Sequence, residues 1–183
     1  MTSIYEPEQD SFLLAGVVKK EVSFLITKYS NPKILDMGSG SGIQAKTAID
    51  VGINPKNITL SDINPEAIKH LKKTFTKSKI IKSNLFEKIK EKFNLIIFNP
   101  PYLPEDKREP KDSRLATTGG KKGDEIIIKF LRQAKSHLVI KGKILLLTSS
   151  LTPQIDFKKL RYNSKLIAKK KIFFEELRVW GLA

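Results

Sequence analysis

Apolar positions in this chain alternate between short unbroken runs and longer stretches at helical spacing. Ile34-Leu35-Asp36-Met37, Asn57 to Asp62, Lys79 to Lys82, Asn94 to Phe98 and Lys143 to Thr148 each read as a strand. Leu13, Leu14, Val17, Val18 and Leu25 share one helical face over residues 11–29, and Asn31-Pro32 stops that run. A second helix ends at about Val51. A third opens at Asn64-Pro65-Glu66, with Asn64 as N-cap and Pro65 at the first helical position. Asp124 to Val139 reads as a further helix, followed later by a short helical stretch near Ile155–Tyr162. Leu166–Phe173 and Glu176–Leu182 read as a closing antiparallel pair. Between Pro100 and Gly123 lie four prolines and many charges, the mark of a functional or disordered loop. Strands alternating with helices predict an α/β fold, a mostly parallel sheet covered on both faces and joined by right-handed crossovers. With no repeat and no linker, residues 1–183 are expected to form one domain, its N-terminal helical segment 1–31 packed on the rest.

Composition narrows this picture without deciding it. A chain of 183 residues with 40% hydrophobic content can bury a sizeable core. No run reaches 18 apolar residues, so no membrane helix is expected. Met1 to Pro7 shows no secretory pattern, and a cytoplasmic location is expected. Cysteine is absent, which excludes disulfides and cysteine-ligated zinc, and His70 and His137 have no ligand-spaced companion, so no metal site is expected. The net charge of +15 is concentrated in two blocks. Residues 69–92 carry nine lysines against Glu87 and Glu91, and residues 141–183 carry ten Lys/Arg against Asp156, Glu175 and Glu176. Lys69, Lys72, Lys73 and Lys77 fall on one helical face opposite Ile68, Leu71 and Phe75, which fits either a solvated helix or a surface facing a polyanion. Proximity to ribosomes or RNA follows from the second reading.

The chemistry sits at strand ends. Leu95-Ile96-Ile97-Phe98 leads into Asn99-Pro100-Pro101-Tyr102, at the carboxyl edge where α/β sheets bind ligands. Two prolines fix the backbone path, and an asparagine oxygen beside a free carbonyl is a pair of acceptors suited to an –NH2 group. An ordinary proline-rich strand exit is the plain alternative, and a core aromatic is the plain alternative for Tyr102. The first strand feeds Gly38-Ser39-Gly40-Ser41-Gly42 and a helix, a nucleotide-binding turn. Asp62 ends the second strand twenty residues after Gly42, placed to accept from both ribose hydroxyls. Asp36 beside the glycines would repel a pyrophosphate and favour the sulfonium and ammonium of S-adenosylmethionine.

Ile34–Gly42, Asp62 and Asn99–Tyr102, in this order, make the chain resemble a class I S-adenosylmethionine-dependent methyltransferase. It looks most like the HemK-like protein glutamine methyltransferases of class-1 translation release factors. Tyr5-Glu6-Pro7-Glu8-Gln9-Asp10-Ser11, Asp62-Ile63-Asn64-Pro65-Glu66-Ala67 and Gly119-Gly120 with Gly123 are similar to the short eukaryotic and archaeal branch. The resemblance implies a Rossmann-like sheet of seven strands in the order 3-2-1-4-5-7-6, the seventh antiparallel. It implies cofactor contacts at Ser11, Asp36, Gly38, Gly40, Asp62, Asn84, Leu85 and Asn99, with S-adenosylhomocysteine as product. It further implies a catalytic and substrate clamp formed by Asn99, Pro100, Pro101 and Tyr102. Asn84 departs from the family's usual aspartate for the adenine amino group. The resemblance also implies a small zinc-binding activator subunit, for which the edge strand Lys79–Lys82 is the expected seat, unless its lysines only protect that edge. An amino methyltransferase acting on RNA or DNA bases and a non-catalytic basic scaffold on the ribosome are the alternative functions.

Overall fold

The structure, a computed structural model, describes residues 4–106, 108 and 110–183. The reading of Met1 to Ser3, and of Lys107 and Glu109 within the long loop, lies outside the described residues. The strands are β1 (Ile34–Met37), β2 (Ile58–Asp62), β3 (Lys79–Lys82), β4 (Phe93–Phe98), β5 (Leu103–Pro104), β6 (Thr118–Gly120), β7 (Leu138–Ser149), β8 (Ser164–Ile172) and β9 (Glu175–Leu182). The helices are α1 (Gln9–Lys28), α2 (Ile43–Val51), α3 (Pro65–Thr74), α4 (Lys111–Thr117) and α5 (Glu125–Ala134).

Seven strands form one sheet in the order β3-β2-β1-β4-β7-β9-β8, parallel except where β9 meets β7 and β8. With β5 and β6 set aside as a separate two-stranded sheet, this is the expected 3-2-1-4-5-7-6 order. Its central strands lie between two apolar layers, which is why their sequences are continuous apolar runs. On one face α1 packs Leu14, Val17, Val18, Val22 and Leu25 with Leu71 of α3 against Ile34, Leu60, Leu95 and Leu145. On the other, Ile127, Phe130 and Leu131 of α5 meet Phe86, Phe98 and Leu146. Asn64 caps α3 as expected, its side-chain oxygen accepting from the Glu66 N–H at 3.0 Å.

Several expectations are corrected. The helix beginning at Asp124 ends at Ala134, passes through one 3-10 turn and becomes β7 at Leu138, five residues before the expected start. A bulge at the foot of β7 accommodates the difference, with Phe93 opposite Leu138 and Leu95 opposite Lys143. The stretch Ile155–Tyr162 forms turns rather than a helix; Asp156 accepts from the Lys159 N–H, and the Tyr162 hydroxyl donates to the Leu131 carbonyl. α3 stops at Thr74 because Phe75 leaves helical geometry to enter the core, so Lys77 is not on its face. The long loop carries β5, α4 and β6. Phe173 belongs to a turn rather than to β8. At the edge, Ile80 and Ile81 pack toward opposite cores, so β3 offers a partner its main chain rather than an apolar face.

Candidate active site

The carboxyl ends of β1, β2 and β4 open into one cavity of about 490 Å³. Ser11, Asp36, Gly38, Gly40, Asp62, Asn84, Leu85, Asn99, Pro100, Pro101 and Tyr102 all line it, so every site residue expected from the sequence is gathered in one place.

The glycine turn after β1 is tied to β2. The Ser39 hydroxyl donates to the Asp36 carbonyl at 2.7 Å and accepts from the Ser61 N–H at 3.0 Å. Asp62 holds the same turn, one oxygen accepting from the Gly40 N–H and the other from the Asn64 N–H, each at 2.8 Å. Gly42 closes the turn at φ +83°, where a Cβ would overlap the Phe75 ring. Burial pushes both site carboxyls upward. Asp36 rises to about 7, with the Ala45 N–H partly offsetting its desolvation and Asp62 adding to it. Asp62 is raised by burial against the lowering effect of the Asn64, Gly40 and Ile63 N–H groups.

The clamp is anchored from the start of the chain. The Asn99 Nδ2 group donates to the Asp10 carboxylate at 3.0 Å and approaches the Ser11 hydroxyl at 3.5 Å. A carboxylate can only accept, so this bond fixes which way the amide faces. Its Oδ1 is thereby turned away, buried, and without a partner among the described residues. Asp10 is held in turn by the Tyr5 hydroxyl at 3.1 Å. A second orphan acceptor is Gln44 Oε1, whose Nε2 donates to the Ser11 carbonyl at 3.0 Å. Buried acceptors that face a cavity without a protein partner are places for a donor from a ligand or an ordered water. The cavity is also acidic, lined by Glu8, Asp10, Asp36, Asp62 and Glu175 against the single cation Lys129 among the described residues.

At the adenine end expected from the resemblance, Asn84 donates from Nδ2 to Glu87 at 2.8 Å, which leaves its oxygen as an acceptor. Leu85 adopts φ +50°, held by a 2.8 Å bond from the Ser83 hydroxyl to its carbonyl. Behind the clamp, Gly119 lies so close that a Cβ would stand 2.6 Å from the Pro101 carbonyl oxygen. Thr152 supports the next residue, its hydroxyl donating to the Tyr102 carbonyl at 3.1 Å. Gly123 backs the clamp in the same way, a Cβ there standing 2.5 Å from the Tyr102 carbonyl oxygen, whereas Gly120 faces the Glu125 side chain.

Asp10 and Gln44 were not among the expected site residues. Asp10 was visible only as a letter of the N-terminal signature, and Gln44 carried no sequence signal.

This fold and cavity define a class I methyltransferase. The chain belongs to the methyltransferase small domain family, whose model matches residues 11–174. It is 36% identical over 186 residues to a Methanocaldococcus jannaschii protein provisionally named a protein N5-glutamine methyltransferase, covering 96% of this chain and 89% of that one. It is 29% identical over 131 residues to the release factor glutamine methyltransferase of Deinococcus radiodurans, covering 66% of this chain and 47% of that protein. The ribosomal protein L11 methylase of Lactobacillus delbrueckii subsp. bulgaricus has the same fold, with a TM-score of 0.66 at 18% identity over 96% of this chain and 79% of its own.

Proposed function

We propose that this protein transfers a methyl group from S-adenosylmethionine to the side-chain amide nitrogen of a glutamine, in the Gly-Gly-Gln motif of a class-1 translation release factor. The observation that carries the reading is the Asn99 oxygen, buried, unpaired and fixed in direction by Asp10. It is an acceptor waiting for an N–H donor. Among the described residues the Pro100 carbonyl beside it takes no hydrogen bond, so two acceptors are available for the two hydrogens of a primary amide.

The residues present suit the cofactor. Asp36 and Asp62 offer carboxylates to the cationic and ribose parts, and Asn84 offers its amide oxygen to the adenine beside the apolar Leu85 side chain. When bound, S-adenosylmethionine supplies an electrophilic methyl group and leaves as S-adenosylhomocysteine. The amide nitrogen gains the methyl carbon and releases one proton to solvent. An amide lone pair is delocalised into its carbonyl, so this chain's task is orientation. Holding both hydrogens on Asn99 and Pro100 turns the lone pair toward the methyl position, a kind of alignment worth roughly 7–11 kcal/mol. Those bonds strengthen as the nitrogen becomes positive, which is stabilisation confined to the transition state. Tyr102 flanks the amide, and burial with the nearby Asp10 carboxylate keeps its hydroxyl protonated.

The acidic cavity favours a polypeptide over a nucleic acid. A nucleotide would bring its own phosphates toward Glu8, Asp10 and Glu175, the lining acids not assigned to the cofactor, at a cost an uncharged amide does not meet. A non-catalytic scaffold would not need an assembled cavity with oriented, unpaired acceptors. As part of the same reading, the free main-chain edge of β3 is the seat of a small activator subunit, any zinc belonging to that partner. The basic surface keeps the enzyme near ribosomes in the cytoplasm. Absence of a small co-purifying subunit from a fully active, monomeric preparation would remove the activator.

The decisive experiment is radiolabelled methyl transfer to release factor, to its Gly-Gly-Glu variant and to RNA. Label is expected on the first alone. Equal labelling of the Glu variant, or label only on RNA, overturns the assignment.

A further inference from the structure

The β8–β9 hairpin is closed by two phenylalanines, the first of them where the backbone favours glycine or asparagine. Ile172 pairs with Glu175, so Phe173 and Phe174 are the two central residues of the tightest hairpin loop. Phe173 sits at φ +47°, a left-handed conformation that a bulky side chain adopts only at a cost. The placement is unfavourable twice, because these rings are 89% and 99% exposed, the largest exposures of any aromatic side chains among the described residues. Neither ring contributes to the core, so folding does not explain the pair.

The surroundings say what the rings are for. Glu175, the next residue, lines the active-site cavity, which puts the tip at its rim. The tip is firmly mounted, since Ile172 and Ala168 pack into the core under α1. Lys170 bonds to Gln9 at the first residue of α1, one position before Asp10. Behind the rings, Lys169, Lys170 and Lys171 are exposed on β8, and of these Lys169 is partly offset by Glu176 at 3.4 Å. The result is an apolar projection with a basic flank, standing beside an acidic cavity.

We propose that Phe173 and Phe174, with the lysines behind them, form the docking anchor for the polypeptide substrate, gripping an apolar recess bordered by acidic side chains outside the reacting loop. This rests on the reading of a polypeptide substrate given above. A short loop carrying one amide makes too few contacts to identify a whole protein. Two exposed rings beside the cavity mouth supply the kind of aromatic contact that dominates protein interfaces. The acidic interior turns phosphates away from the mouth, which sets a protein above an RNA strand as the occupant.

The test replaces the tip by polar residues that the turn accepts, F173N with F174S, and leaves the cavity untouched. The double variant should melt at or above the wild-type temperature, because the strained ring is gone. Its KM for intact release factor should rise about tenfold or more, with kcat and S-adenosylmethionine affinity unchanged. A short Gly-Gly-Gln peptide, unable to reach the tip, should be methylated equally by both proteins. An unchanged KM for the intact factor overturns the anchor while leaving the glutamine reading in place. A variant that instead loses affinity for a single-stranded oligoribonucleotide, with the protein KM unmoved, also overturns it. If the wild-type protein labels neither factor nor peptide, the substrate reading falls first and takes the anchor with it.

Discussion

The Asp10 carboxylate accepts the Asn99 amide nitrogen at 3.0 Å, joining the start of α1 to the end of β4 across 89 positions of sequence. Asn99 could otherwise present either end of its amide to the cavity. With Asp10 beneath it, only the oxygen is left for a ligand. Tyr5 completes the chain of bonds, burial and the Asp10 charge keeping its hydroxyl a neutral donor. The N-terminal segment is therefore part of the candidate site rather than a strap across it.

Asp10→Asn tests this directly. The variant keeps the shape but offers its own N–H2 to Asn99, so both amides can turn over. Losing a charge-assisted bond of about 1.5–3 kcal/mol predicts a tenfold to hundredfold fall in kcat. KM and cofactor affinity should hardly move. A variant with normal kcat would reduce Asp10 to a support for the first turn of α1.

Asn99→Ala removes the acceptor itself. Loss of one oriented transition-state bond is expected to lower kcat a hundredfold to a thousandfold, with the fold and most of the cofactor affinity retained. Single-turnover methyl transfer measures it. A mutant keeping a tenth of wild-type turnover would take Asn99 out of the mechanism.

What the sequence made legible follows from which signals are local. The strands themselves could be placed because β1 and β4 bury apolar residues on both faces, the N-cap because Asn64-Pro65 is a contiguous signal, and the strand order only through the family resemblance. Leu138-Val139-Ile140 misled because a short apolar run fits a helix end or a strand equally well, and only pairing with Phe93 decides it. The turns at Ile155–Tyr162 are set by distant bonds such as Tyr162 to Leu131. Asp10 escaped for the same reason: a buried acid declares itself through its partner, and that partner is far along the chain. Phe173 reads as the end of a strand, since composition does not carry the sign of φ.

Gly119 lies outside the cavity lining, and Gly119→Ala is expected to damage the clamp from behind. The new methyl would press on the Pro101 carbonyl, and on Gly123 behind it, in main chain that has no flexible end to yield. A loss of roughly 1–3 kcal/mol in stability is expected, with a fall in kcat larger than the change in cofactor affinity. Thermal melting and initial rates check both. An unchanged melting temperature would mean that the long loop shifts freely and does not brace Pro101.

Asp36 should make cofactor binding pH-dependent. In the free protein its carboxyl is raised from 3.8 to about 7, chiefly by burial. The folded state thus holds a proton that the unfolded state has lost. Its stabilising contribution is complete below pH 3.8 and is lost as pH rises to about 7, an effect on the order of a few kcal/mol. The cationic cofactor prefers the ionised carboxylate, so affinity should rise with pH toward about 7. Binding at pH 6 should release a proton, seen by calorimetry in buffers of different ionisation enthalpy. Asp36→Asn should abolish the proton release. Proton uptake in the wild type would put the cofactor's charge elsewhere.

Asn84→Asp introduces the acid that the family resemblance leads one to expect here, but into a changed setting. Asn84 now donates to Glu87 at 2.8 Å, and an aspartate would face that carboxylate with no hydrogen to offer. Asn84 and Glu87 meet at an exposed position, so solvent screens the repulsion and Glu87 can swing outward, limiting the cost to about 1 kcal/mol or less. A carboxylate oxygen accepts from an adenine amino group more strongly than an amide oxygen does. S-adenosylmethionine affinity should therefore hold or improve while the free protein melts slightly lower. Adding Glu87→Gln should recover the melting temperature by returning a donor to the pair. Titration calorimetry and thermal melting of the single and double variants separate the two effects. A large loss of affinity in Asn84→Asp, unrelieved by Glu87→Gln, would place the adenine away from Asn84.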